Sequence, residues 1–450
     1  MAFRGSAVTL TTIFSVMLRT MTENFLPAAA GQERPEVGRL LRAVAERVRS
    51  ARAHPLLSPR ALAERWRERR GGHPAEEAHG PHLEAALEWL ARAQDVTPEG
   101  GIARGYSLTW NPYFGSRGWQ PPYPETTGYL IPTLYAAAHH LGRPDLAQRA
   151  ERAAAWEIEV QLPSGAVRGG VIGEPESPAV FNTGQVMFGW LSAFAETRDD
   201  RYADATRRAG RFLVSTVDRD GHWRFGNSRF ARAGSTTYNV RTAWALALEG
   251  LRLSEPTFVD VAKRNLEFVL GRIHPDGWLP DCCLNDPERP LLHTLAYAIR
   301  GLVEGGAVLQ NERATEIGAI AAEHLARAVR EDGWMAGRFA AEWRPAVTWS
   351  CLTGEAQMAN VWLRLFQLTG EAKWLEPVPR VLRFLKSTQN RTSRDPGLRG
   401  GIKGSAPIGG EYGRYEVLSG ATKFFIDALI RHEQILSGAM VPAAPTHHFG

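Results

Sequence analysis

Apolar residues along the chain fall into two alternating kinds of helix-forming stretch. One kind is amphipathic: Asp145 to Glu159, Asp204 to Val217 and Val259 to Ile273 gather their charges on one face. The other is apolar nearly all round, as in Val186-Met187-Phe188-Gly189-Trp190 and Leu295-Ala296-Tyr297-Ala298-Ile299. A helix with one apolar stripe belongs at a surface, and one that is apolar on every side belongs inside. The alternation predicts an outer layer of amphipathic helices wrapped around an inner layer of apolar ones.

The alternation is also periodic. Between each outer and inner stretch lies a glycine turn: Pro98-Glu99-Gly100-Gly101, Pro163-Ser164-Gly165, Asp220-Gly221-His222-Trp223, Asp276-Gly277-Trp278, Asp332-Gly333-Trp334 and Asp395-Pro396-Gly397. Gly165, Gly221, Gly277 and Gly333 are each 56 residues from the next. The inner stretches open at small polar steps, among them Thr126-Thr127-Gly128-Tyr129, Asn182-Thr183-Gly184-Gln185, Leu292-His293-Thr294-Leu295 and Leu352-Thr353-Gly354-Glu355. A helical-pair repeat of this length buries its apolar face only by stacking on its neighbours, so six pairs predict one all-α ring, an (α/α)6 toroid. An open superhelix of the same pairs is the alternative. The expected division is residues 1–81 as a basic helical extension, 82–435 as the toroid and 436–450 as a tail.

Composition changes this picture little. A chain of 450 residues with 44% hydrophobic content can bury a large core. The net charge of +5 is modest and no nucleic-acid motif is present, which argues against a nucleic-acid partner. Glu36 to Ala53 reads as a basic amphipathic helix diluted by Glu36 and Glu46. Cys282, Cys283 and Cys351 are too few, and odd in number, for a disulfide framework. They predict a reducing, cytoplasmic setting, with export through the weakly apolar stretch Ala7 to Leu18 as the alternative. No stretch is apolar and long enough to span a membrane. Neither a metal motif nor a cofactor motif stands out, so none is expected. Fourteen Trp residues, several in the turns, suit either packing between hairpins or stacking on sugar rings.

In a ring whose inner helices run the same way, all their N-termini meet at one mouth. Free N–H groups and helix dipoles there favour anionic groups. The loops entering those helices concentrate Arg, aromatic and carboxylate residues, which predicts an acidic carbohydrate partner. Hairpins with Asp-Gly-Trp turns and Thr-Gly-opened inner helices resemble the six-hairpin (α/α)6-toroid carbohydrate-active enzymes. That superfamily includes polysaccharide lyases, uronyl hydrolases and sugar epimerases. The resemblance covers roughly residues 82 to 435 at the level of architecture, and it implies an enzyme acting on a glycan.

Three chemistries compete at the mouth. Lyase or C5-epimerase chemistry needs a base beside a uronate carboxylate and a partner that neutralises it. Tyr238, Asn239 and His293 supply those types, with Tyr415 as a second base. Arg241, Arg224, Arg338 and Arg414 are expected to hold the acidic substrate, with Trp110, Trp349, Asn182 and Gln185 beside it. Glycoside hydrolysis would instead pair carboxyl groups from among Glu125, Asp281, Glu355 and Glu416. A Cys and His zinc site built on Cys282, Cys283, Cys351 and His293 fits poorly, because buried cysteines in apolar surroundings are ordinary. A non-enzymatic glycan-binding toroid is the remaining alternative. Proton abstraction is preferred, because Arg residues outnumber plausible carboxylate pairs.

Overall fold

The fold is seen in a computed structural model that describes Pro55, Ser58 to His73, Ala75 and residues 78 to 438, save positions 227–230, 232, 233 and 235. Segments 7–18 and 36–53, for which the sequence suggested a signal and a basic helix, lie outside the described residues.

Thirteen α-helices are present among these residues. After α1 (Pro59–Arg69), six outer and six inner helices alternate. The outer ones are α2 (Gly80–Asp95), α4 (Pro144–Glu159), α6 (Asp200–Thr216), α8 (Pro256–Leu270), α10 (Glu312–Arg327) and α12 (Val378–Thr388). The inner ones are α3 (Pro124–Leu141), α5 (Val180–Thr197), α7 (Val240–Arg252), α9 (Leu292–Leu309), α11 (Leu352–Thr369) and α13 (Ser419–Leu436). The inner helices are buried along most of their length, while outer helices bury one face. This is the predicted two-layer (α/α)6 toroid.

Connections sort the two ends of the ring. From inner to outer helix the chain turns in a few residues, over left-handed residues such as Gly142, Arg198, Gln310 and Gly370 that close the inner helices. From outer to inner helix the loops are long. They therefore crowd the inner N-termini, and that end is the mouth.

The ring is closed by contacts of two kinds. Turn glycines Gly100, Gly165, Gly221, Gly277, Gly333 and Gly400 all take positive φ, each against the backbone of the next outer helix. The sixth, Gly400, meets Ala85 of α2, the first outer helix, so the series returns to its start. The sequence pattern pointed to Gly397 for this last turn. Gly397 does something else: a Cβ there would lie 2.1 Å from the Tyr106 ring. The second closure is a small antiparallel sheet over the mouth. Its strands Gly105–Asn111 and Glu416–Leu418 join the first and last hairpins, with Ser116–Trp119 and Ile402–Lys403 on the outside.

Helix α1 is fastened to that same seam. Ser58 caps it, accepting from the Ala61 N–H at 3.3 Å and donating to the Leu108 carbonyl at 2.6 Å. Wholly buried Glu64 accepts from Lys403 Nζ at 3.0 Å and Asn390 Nδ2 at 2.9 Å. Burial alone would raise the Glu64 carboxyl pKa, but His73 and Lys403 outweigh it and hold the group ionised.

Candidate active site

The second residues of the inner helices share a register at the mouth end of the ring. These residues are Glu125, Phe181, Arg241, His293, Thr353 and Gly420. At the mouth lies a cavity of about 320 Å³, lined by Glu125, Phe181 and His293 from that register. One turn deeper, Tyr129 and Tyr297 form its floor, and Tyr238 enters from the 3-10 turn before α7. The rim carries Arg104, Tyr123, Arg338, Glu411 and Tyr412. Gly420 has no side chain at its place in the ring, and a Cβ there would come 2.4 Å from Tyr129 Oη.

Two titratable groups in the cavity are pushed in opposite directions. Burial raises the Glu125 carboxyl to about 7, against the pull of Arg104 and Arg241. The same burial lowers His293 to about 4, helped by the positive charge of Arg241 and Arg104. His293 Nδ1 lies 2.9 Å from Gln357 Oε1, an acceptor, so Nδ1 carries the proton and Nε2 is left as a lone-pair base. Its ring is wedged between Tyr297 and Tyr412, at centroid separations of 4.5 and 4.9 Å. Near neutral pH the cavity thus holds a carboxyl that can give a proton and an imidazole that can take one. Tyr238 Oη is buried, with no hydrogen-bond partner among the described residues.

Positive charge on the rim is held firmly. Arg104 donates to Glu416 Oε2 at 3.1 Å and Gln120 Oε1 at 3.0 Å. Arg338 donates to Glu411 Oε2 at 3.1 Å, the Arg289 carbonyl at 2.8 Å and Asn285 Oδ1 at 3.2 Å.

The other residues singled out in the sequence are scattered. Asn239 is buried in the 3-10 turn beside Tyr238. Arg241 lies beneath the cavity, its Nε donating to Gln185 Oε1 at 2.7 Å. Asn182 Nδ2 donates to the Arg168 carbonyl at 3.0 Å. Arg224 is on the surface with Asp218 and Asp220, and Asp281 pairs with Arg272. Trp349, Arg414 and Tyr415 line a separate groove beside α1, and Trp110 is half-buried near the seam. Glu416 is tied to Arg104, Gln120, Ser107 and Asn111.

Glu355 has a structural duty. It is the fourth residue of α11, and its Oε1 accepts from the Met335 N–H at 2.8 Å and from Ser350 Oγ at 2.5 Å. Thr127, Thr183 and Thr422, the fourth residues of their own inner helices, accept from Ile102, Val167 and Ile402 in the same way. All four donors stand two residues past a turn glycine. Glu355 is one repeat's version of a threonine latch.

Several cavity residues did not stand out in the sequence, among them Arg104, Tyr129, Phe181 and Tyr297. Tyr129 and Tyr297 sit in apolar runs and read as core. The available signal was their spacing, four residues after Glu125 and His293, which puts each pair on one helix face. Cys282, Cys283 and Cys351 are buried and form no disulfide. Among the described residues, no three His, Cys, Asp or Glu side chains gather as a metal site, and no helix is long and apolar enough to cross a membrane.

No protein-family model matches the chain, and no curated protein sequence matches it. Solved structures do. An unsaturated glucuronyl hydrolase specific for heparin superposes with a TM-score of 0.63 at 17% identity, over 79% of this chain and 97% of that one. An unsaturated glucuronyl hydrolase responsible for degrading glycosaminoglycan, from Bacillus sp. GL1, gives 0.61 at 14% identity, over 80% and 98%. Cellobiose 2-epimerase from Bacillus thermoamylovorans gives 0.60 at 12% identity, over 78% and 98%. At such identities the likeness establishes the shared (α/α)6-toroid fold.

Proposed function

We propose that the chain is a carbohydrate-active enzyme that moves a proton to and from carbon on a uronate-bearing sugar, in lyase or C5-epimerase fashion. One observation carries this reading: a carboxyl held near 7 and an uncharged imidazole face a single cavity at the mouth of the ring. Arg104 and Arg338 supply the positive charge against which the substrate carboxylate would rest. His293 Nε2 takes the proton from C5, and the electron pair passes into the carboxylate as an enediolate. In a lyase, Glu125 protonates the departing glycosidic oxygen as the C4–O bond breaks. In an epimerase, Glu125 returns a proton to C5 from the opposite face. The fold neighbours include proteins described as glucuronyl hydrolases and as a sugar epimerase, which supports a sugar in this cavity.

Hydrolysis is the second reading, because a carboxyl raised to about 7 also suits a general acid. It lacks a well-placed partner: Glu411, the other carboxylate on the cavity wall, is largely exposed and paired with Arg338.

The test is incubation of uronate-containing and neutral oligosaccharides in D2O, followed by NMR, ultraviolet absorbance and reducing-end release. The expected result is deuterium at the carbon beside the carboxylate, or a new ultraviolet-absorbing double bond, lost in His293→Gln. Reducing ends without either signal would overturn proton abstraction in favour of hydrolysis. Tight sugar binding with none of the three signals would favour a binding protein.

A further inference from the structure

Below the cavity floor the toroid axis is filled with charge. Helix α9 points Arg300 and Glu304 inward, α13 adds Lys423, Asp427 and Arg431, α11 adds Arg364 and α7 adds Arg241. These groups act on one another electrostatically as a single cluster. Five are basic and two are acidic. The acids are already shared out: Glu304 receives Arg364 at 3.0 Å, and Asp427 receives Lys423 and Thr133.

Arg241 and Arg300 come out short. Arg241 is 0% exposed and Arg300 2%. Arg241 donates its Nε to Gln185, and among the described residues both terminal nitrogens find no acceptor. Arg300 reaches Glu304 only at 3.6 Å, and among the described residues its Nε and both terminal nitrogens have no hydrogen-bond acceptor. The two guanidinium groups lie by the same ring, with carbons 5.2 and 5.4 Å from the centre of Trp244. Aromatic faces at Phe188 and Tyr297 give Arg241 further partial compensation, at 5.2 and 5.1 Å. That does not satisfy five N–H-bearing nitrogens aimed into the interior. Buried water would satisfy the donors but leave the charge standing.

We propose that a small inorganic anion sits on the toroid axis between Arg241 and Arg300, beneath the cavity floor. It accepts from the orphaned guanidinium nitrogens and brings the axial cluster closer to neutrality. Its negative charge also offsets the field that Arg241 exerts on His293 and Glu125. The site is distinct from the sugar cavity, whose wall does not include either arginine.

The test uses the full chain and does not depend on knowing a sugar substrate. Crystals grown in sodium bromide, and separately in sodium phosphate, are examined for anomalous bromide scattering and for oxyanion density at the axis. In solution, thermal unfolding is followed in sodium chloride against sodium gluconate at matched ionic strength. The expected results are an anion bonded to both arginines and a saturable rise of about 2–6 °C in chloride. Arg300→Met should lose that rise, and if it does not fold, the wild-type maps still decide. Water alone on both guanidinium groups overturns the proposal. So does a chloride-dependent rise with the ion located elsewhere.

Discussion

Glu125 and His293 show how one environment can set two groups to opposite tasks. Each loses water, and the loss penalises whichever form is charged, so the acid rises and the base falls. If both take part as proposed, kcat/KM is bell-shaped, with limbs near 4 and near 7. Glu125→Gln should remove the alkaline limb and lower turnover by about 10²–10⁴-fold. A stability measurement checks the same charge without a substrate. The folded-state pKa of Glu125 is raised, so its contribution is intact below about 4.5 and is lost as pH climbs through 7. Glu125→Gln should therefore gain about 1–3 kcal/mol on wild type at pH 8 and nothing at pH 4. An equal effect at both values would show that the carboxyl is not perturbed. His293 was legible because a histidine at a helix opening is conspicuous. Tyr129 and Tyr297 were not, because a tyrosine within an apolar run carries no mark of whether its hydroxyl meets packing or cavity.

At the scale of elements, the repeat was readable and its exceptions were not. Outer and inner helices declare themselves by how far their apolar surface wraps. Where a position departs from the repeat, sequence invites a functional reading, and Glu355 drew one. The structure shows a substitution inside the latch: the Glu355 carboxyl oxygen accepts the turn N–H that a threonine hydroxyl accepts in three other repeats. Burial holds this carboxyl well above its usual range, against the pull of Ser350 and the Met335 N–H. If the proposed activity holds, Glu355→Gln should therefore leave turnover intact, since the amide oxygen still accepts from Met335. Glu355→Ala strands that N–H and should cost about 1–3 kcal/mol in urea denaturation. A large loss of kcat in the Gln variant, at unchanged stability, would return Glu355 to the chemistry.

For the whole molecule, the decisive property is closure, and the 56-residue spacing could not reveal it. Spacing is the same in an open superhelix and in a ring; only the partner of the last hairpin differs. The register broke at the final turn because the chain there must do two jobs within four residues. Gly397 clears the Tyr106 ring, while Gly400 takes φ +95° with its Cα facing Ala85. Gly400→Ala would put a Cβ 2.1 Å from the Ala85 carbonyl oxygen, in a backbone conformation that L side chains avoid. Strain and overpacking together should cost at least about 3 kcal/mol. Gly142→Ala is the control: it has φ +64° at an inner-helix C-terminus, but open space where the Cβ would go. It should cost only about 1 kcal/mol, since it pays the backbone term alone. Because the seam also carries the strands that position Arg104 and Glu416, loosening Gly400 should weaken the proposed sugar binding along with stability. Equal costs for the two substitutions would mean that the contact between first and last hairpins does not close the ring under load.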